Sequence, residues 1–294
     1  MSQVNFRLDL CARMKTLSEN IENIILQHGD RGMNQLGQSM KPGYCRRAAQ
    51  MILANRGVVA IGTGFPVSGS FESDGPIGAI ALYRVLAKIG FDPVFVCAPP
   101  ISKILAHNFF THELPLVNWE ASRPAVSRAL EELKPDLVIS IERPGVAADG
   151  RYYNMRGVDI TGQTAKFDLF LMLAKCPSIA FGDGGNEIGM GNMLEALDPL
   201  DIIPSVTPCD ELVIASVSNW GVYGVIAALS SLLKRDLFAL VDPEAISDHL
   251  VANGCVDGVT QRRESTEDGF PLHIGLAIIQ QLRELIFPTR PGQN

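Results

Sequence analysis

The chain has 294 residues, 47% hydrophobic and 19% charged, and 25 Lys plus Arg against 32 Asp plus Glu give a formal charge of −7. That apolar content excludes intrinsic disorder as the main state, and an acidic balance without a clustered basic run excludes a dedicated nucleic-acid binder. The six cysteines are scattered with no close pair, which excludes a zinc knuckle and argues for reduced, mostly buried thiols.

Arg7, Asp9, Arg13 and Lys15 near the start argue against a signal peptide. No apolar stretch reaches the roughly 18 residues of a membrane span. A cytoplasmic protein is expected. In chain order, the spacing of Phe6, Leu10, Met14, Leu17, Ile21, Ile24 and Ile25 predicts an amphipathic helix over 5–28. A polar, Gly-rich stretch from His28 to Asn34 follows, then a second helix from about Pro42 to Asn55. Beyond it, short apolar runs alternate with helical segments. Strands are expected at 58–65, 93–98, 114–119, 136–142, 178–182 and 211–217. The helices between them are expected at 76–90, 101–109, 122–134, 163–175 and 186–196, and three more at 221–234, 243–253 and 272–286. Runs apolar on both faces, separated by helices, predict an α/β fold: a three-layer α/β/α sandwich with a mostly parallel sheet. No repeat or linker divides the chain. One domain over 1–294 is expected, with 1–56 as an N-terminal helical extension and 57–294 as the α/β core.

Open parallel sheets bind ligands at the carboxyl ends of their strands, and the polar and Gly-rich clusters fall there. Thr63, Gly64, Glu72 and Asp74 follow the first strand; Glu142 and Arg143, then Asp149, Arg151 and Asn154, follow the fourth. Asp183, Asn186 and Glu187 follow the fifth, and Ser218 and Asn219 the sixth. Gly62–Val67 fails the dinucleotide pattern and Gly64–Ser70 lacks the Walker lysine, so neither NAD binding nor ATP hydrolysis is supported. A backbone-amide cradle for a carboxylate or phosphate remains. Asp183, Asn186 and Glu187 stand within five positions on a loop carrying five glycines, and their oxygens suit a hard cation such as Mg²⁺ or Mn²⁺. Capping of a following helix explains one of these residues, not all three. Arg143 or Arg151 would clamp a substrate carboxylate through its guanidinium fork, with paired surface charges as the plain alternative. His28 is the histidine to watch, because it adjoins Gly29-Asp-Arg-Gly32. Ser68, Ser70 and Ser73 lack a neighbouring histidine and no nucleophile elbow exists, so a serine hydrolase is not supported.

The segments Thr63–Pro66, Glu72–Pro76, Glu142–Gly145, Asp149–Gly157, Gly182–Gly191, Ser216–Gly221 and Val256–Val259 stand in this order over roughly 20–285. Together they resemble the C-terminal domain of D-glutamate cyclases, which in longer relatives follows an unrelated domain. The resemblance implies a lyase that converts D-glutamate to 5-oxo-D-proline and water with a divalent cation. It implies Glu142, Asp183, Asn186 and Glu187 for the metal, and Glu72, Asp74 and Asp183 for catalysis. Thr63, Gly64, Arg143, Arg151, Asn154, Ser218 and Asn219 would meet the substrate, D-glutamate or another small anion. Two other readings stay open: a metal-dependent phosphohydrolase using the same acids, and a non-catalytic carboxylate- or nucleotide-binding protein. Neither a nucleic acid nor a membrane is an expected partner, and homo-oligomerisation is left open.

Overall fold

Six extended runs build the central sheet of the computed structural model, which describes residues 16–29 and 31–288. They are β1 (Val58–Thr63), β2 (Asp92–Cys97), β3 (Thr111–Glu113), β4 (Leu137–Ile141), β5 (Ser178–Gly182) and β6 (Glu211–Ile214). All neighbours run parallel, in the order β3-β2-β1-β4-β5-β6. Ala60 of β1 stands opposite Val94 on one side and Val138 on the other. Every residue of β4 and β5 is buried, because helices cover both faces.

The helices are α1 (16–25), α2 (Met33–Ser39), α3 (Tyr44–Ala54), α4 (Pro76–Lys88), α5 (Ile101–Leu105), α6 (Trp119–Leu133) and α7 (Asp168–Leu173). After them come α8 (Leu194–Leu197), α9 (Ser218–Leu233), α10 (Pro243–Ala252) and α11 (Leu272–Ile286). The sheet grows outward from β1 in both directions, and right-handed crossovers therefore set α4 and α6 on opposite faces. On one face α9 packs against α3, α4 and α11; on the other α6 packs against α7. This is the expected three-layer α/β/α arrangement. α9 is apolar around its whole circumference and buried from Ser218 to Ser230. Among the described residues no helix is long and apolar enough to cross a membrane. Cys45, Cys97, Cys176, Cys209 and Cys255 are free thiols.

Several expected elements differ. The edge strand is the polar Thr111–Glu113 and not 114–119, for an edge needs only one covered face, and Pro115 offers no ladder donor. Asn118 starts α6 earlier than expected by accepting the Ala121 N–H at 2.9 Å. No helix spans 186–196: Gly185 and Gly189 take left-handed φ values of 108° and 100°, which break it into a loop, a 3₁₀ turn and α8. The polar stretch after α1 leads directly into α2, which was not expected. The first part of the expected 5–28 helix, with Phe6, Leu10 and Met14, lies outside the described residues.

Candidate functional site

The strand order reverses between β1 and β4, and open parallel sheets bind ligands in the crevice that opens there. A cavity of about 490 Å³ occupies it, with Glu72, Asp74, Glu142, Asp183, Asp268 and Arg31 in its wall. Each acid arrives from a separate turn. Asp74 precedes α4, and Gly75 after it has φ 87°; a Cβ there would stand 2.6 Å from the Glu142 Cβ. Glycine at 75 thus lets this turn close against the end of β4. Glu142 itself is left-handed, with φ 45°, a conformation that costs a non-glycine residue about 1–3 kcal/mol and concentrates at functional sites.

The start of α9 gathers the three acids. The Ser218 N–H donates to Asp74 Oδ2 at 2.9 Å and to Asp183 Oδ2 at 3.1 Å, and its hydroxyl donates to Glu142 Oε2 at 2.6 Å. The Asn219 N–H donates to Asp74 Oδ1 at 2.8 Å. These are N–H groups that a helix leaves without internal partners, at the end where its dipole favours anions. The Asn219 side chain meanwhile accepts from the Gly75 and Gly78 N–H groups, tying α9 to the start of α4.

One ligand oxygen each from Asp74, Glu142 and Asp183 lie within 4.8 Å of one another, and all three residues are buried. Burial and the surrounding acids push every carboxyl of the cluster upward. Asp74 rises to about 7, by burial first and despite a hydrogen bond with Asp183. Glu142 and Asp183 rise well above the usual carboxylate range, through burial first and then the Asp183 charge on Glu142 and the Asp74 charge on Asp183. Glu187 and Asp268 reach about 7, burial first and the Asp183 charge second. Burial works against the Arg31 charge too, but Asp183 at 3.3 Å and Asp268 at 2.7 Å outweigh it and hold Arg31 protonated. Arg31 is shared by Asp183 and Asp268, and Glu72, Asp74, Glu142 and Glu187 form no ion pair among the described residues. Asn186 Oδ1 and Glu187 Oε1 are buried and accept no hydrogen bond among the described residues, and both crowd Gly184, where a Cβ would lie 3.1 and 2.8 Å from them. Clustered carboxylates plus unpartnered oxygens are the donor set of a hard divalent cation.

The sequence-derived candidates divide sharply. Glu72, Asp74, Glu142, Asn154, Asp183 and Asn186 all line the cavity. Glu187 is buried beside it; its Oε2 accepts the Gly185 N–H at 2.7 Å, and it reaches the site from a loop instead of one helical turn after Asp183. Asp74, expected among the catalytic residues, stands in the carboxylate trio. Ser218 and Asn219 organise acids and helix ends and do not line the cavity. Thr63 is fully buried, and the Thr63 and Gly64 carbonyls accept from Arg143 at 3.3 and 2.8 Å. Arg143 also donates to the Ala165 carbonyl, so its guanidinium braces backbone behind the site and is not turned to a ligand. Arg151 is 56% exposed, pairs with Asp149 at 2.7 Å, and lies outside the cavity wall. His28 is exposed, meets Trp220 edge-to-face and Phe270 at a tilt, and also lies outside that wall.

Residues 21–283 match the family model described as D-glutamate cyclase-like, C-terminal. The chain belongs to this family. The human protein D-glutamate cyclase, mitochondrial, is 31% identical over 208 residues, which are 62% of this chain and 34% of that protein. The chain thus spans about a third of the length of this curated relative. Among solved structures, a short-chain dehydrogenase/reductase from Serratia marcescens BCRC 10948 covers 62% of this chain and 69% of its own at 12% identity, with a TM-score of 0.28. A likeness that weak carries no argument.

Three polar residues of this D-glutamate cyclase-like site, Arg31, Arg156 and Asp268, were missed in the sequence. Arg31 was passed over as part of a polar loop. Asp268 and the buried Glu267 sit on a hairpin, Thr266–Glu267 with Phe270–Pro271. A signal existed: Glu267-Asp-Gly-Phe-Pro271 repeats the acid, the Asp-Gly turn and the nearby proline of Glu72-Ser-Asp-Gly-Pro76.

Proposed function

We propose that this chain is a lyase that closes D-glutamate to 5-oxo-D-proline and water. The observation that carries this is the buried Asp74–Glu142–Asp183 group in a chain of the D-glutamate cyclase-like family. Ring closure joins the α-nitrogen to the carbon of the γ-carboxylate and breaks one C–O bond of that carboxylate. Two protons leave the ammonium nitrogen, and both end on the departing oxygen as water. The difficult part is the γ-carboxylate, an anion and a poor electrophile.

Asp74, Glu142 and Asp183 would hold a divalent cation, with Asn186 and Glu187 oxygens alongside. When bound, such a cation supplies Lewis-acid polarisation and charge neutralisation at a carboxylate. The chain's own groups do the rest. The start of α9 fixes the trio through Ser218 and Asn219, so the floor of the cavity is set before a ligand enters. Glu72 is the cavity-wall acid outside both that trio and the Arg31–Asp268 pair; it takes the two ammonium protons in turn and passes each to the leaving oxygen. Arg31 offsets the acids at Asp183 and Asp268. The Phe65, Val67 and Ile160 side of the cavity gives the substrate methylenes an apolar wall and limits water. A cytoplasmic setting with free thiols is part of this reading.

Incubation with D-glutamate and Mg²⁺ or Mn²⁺, with L-glutamate as the control, tests it. The expected outcome is 5-oxo-D-proline from the D-isomer. No product with either cation overturns the reading.

A further inference from the structure

The cavity wall contains two guanidinium groups, Arg31 and Arg156, and they stand in opposite electrostatic situations. Arg31 lies between Asp268 and Asp183 and is neutralised by them. Arg156 makes no ion pair among the described residues; its Nη2 donates to the Val259 carbonyl at 3.1 Å, across the cavity mouth. Four of its five N–H donors therefore remain for a ligand or solvent. The backbone beneath it is firmly set. Asn154 Oδ1 accepts the N–H groups of Arg156 at 2.9 Å and Val158 at 3.0 Å, and the Gly157 N–H closes the turn on the Asn154 carbonyl at 2.9 Å. Gly157 takes the left-handed φ of 69° which that turn requires.

Charge thus varies with depth: carboxylates and a cation site at the floor, and a free cationic fork at the mouth. A ligand with a single anionic group has no use for both ends. A short dianion does, one carboxylate directed to the floor and the other to the rim. We propose that Arg156 forms the second carboxylate subsite of this cavity, receiving the α-carboxylate while the γ-carboxylate faces Asp74, Glu142 and Asp183. The identity of the two carboxylates rests on the cyclase reading; the subsite itself rests on the geometry around Arg156. The planar fork matches two carboxylate oxygens, which a lysine cannot do. This role falls to Arg156 because Arg143 is bonded to backbone carbonyls and Arg151 lies outside the cavity.

The experiment is calorimetric titration of wild type, Arg156→Gln and Arg156→Lys, each with Mn²⁺, using D-glutamate, glutarate and the α-amide of D-glutamate. Product formation is followed in parallel. Loss of a charge-assisted fork should weaken D-glutamate and glutarate by about tenfold or more in R156Q. The α-amide should change by less than about twofold, because it lacks the partner charge. R156K should fall between them. Equal affinities in wild type and R156Q overturn the proposal, and so does equal weakening of acid and amide. Failure of wild type to bind either dicarboxylate also overturns it. Arg156-dependent binding without 5-oxo-D-proline would remove the cyclase reading and leave the subsite standing. Product with an R156Q KM equal to that of wild type would do the reverse.

Discussion

Ser218 donates its hydroxyl to Glu142 Oε2 at 2.6 Å, from the same residue whose N–H serves Asp74 and Asp183. A single residue at the start of α9 therefore touches all three acids of the cluster. Ser218→Ala removes the hydroxyl and keeps the N–H. The expected result is a folded protein, destabilised by about 1–3 kcal/mol for the lost buried partner. Its affinity for Mn²⁺ should fall about 10–100-fold, as when a group orienting a ligand is removed. Calorimetric Mn²⁺ titration with a thermal melt measures both.

Asp183→Asn separates cation binding from folding. Asp183 is pushed upward by burial and by Asp74, so the cation-free fold gains little from its charge. The variant should melt at or above the wild-type temperature without added cation. In wild type, Mn²⁺ at about 100 times its Kd should add about 2.7 kcal/mol. In D183N that increment should vanish, which differential scanning calorimetry detects.

Gly258→Ala acts on Glu72 alone. A Cβ at 258 would fall 1.9 Å from Glu72 Oε2, the far end of a flexible side chain, so the carboxylate must swing aside. The backbone at 258 is not left-handed and accepts alanine. A shift of about 1 Å in a reacting group costs on the order of 100-fold in rate. The kcat for 5-oxo-D-proline should drop by about that factor while Mn²⁺ binding stays within about twofold.

Much of this architecture is visible in the sequence, and the failures have physical causes. Five of the six strands, Ser178–Gly182 among them, are readable because their buried runs are apolar. The edge strand Thr111–Glu113 escapes because one face needs no cover. The acids at strand ends are readable from the topology of parallel sheets: Glu72, Asp74, Glu142 and Asp183 line one cavity. The arginines are not. Arg143 follows an apolar strand as a ligand clamp would, but buried backbone carbonyls behind the site claim its donors. Arg31 and Asp268 meet across 237 positions, a contact that no local pattern encodes.

Glu267 provides a pH test away from the cation site. It is fully buried and accepts from Trp220, Tyr223 and Asn219, yet burial dominates and raises it from 4.5 to about 7. The folded state therefore holds this proton more tightly than the unfolded chain. Its stabilising contribution is complete below pH 4.5 and is lost as pH rises through about 7. The loss amounts to at most about 3 kcal/mol. Urea unfolding of wild type across this range should show that decline, and Glu267→Gln should flatten it by up to about one proton's slope.

The initial rate of 5-oxo-D-proline formation from D-glutamate, measured against Mn²⁺ concentration in wild type and Asp183→Asn, bears on the whole account at once. The wild-type rate should climb from near zero and saturate with the cation, while the D183N rate stays at baseline throughout. A wild-type rate that ignores the cation, or a D183N curve matching that of wild type, would contradict cyclisation at the Asp74–Glu142–Asp183 cluster.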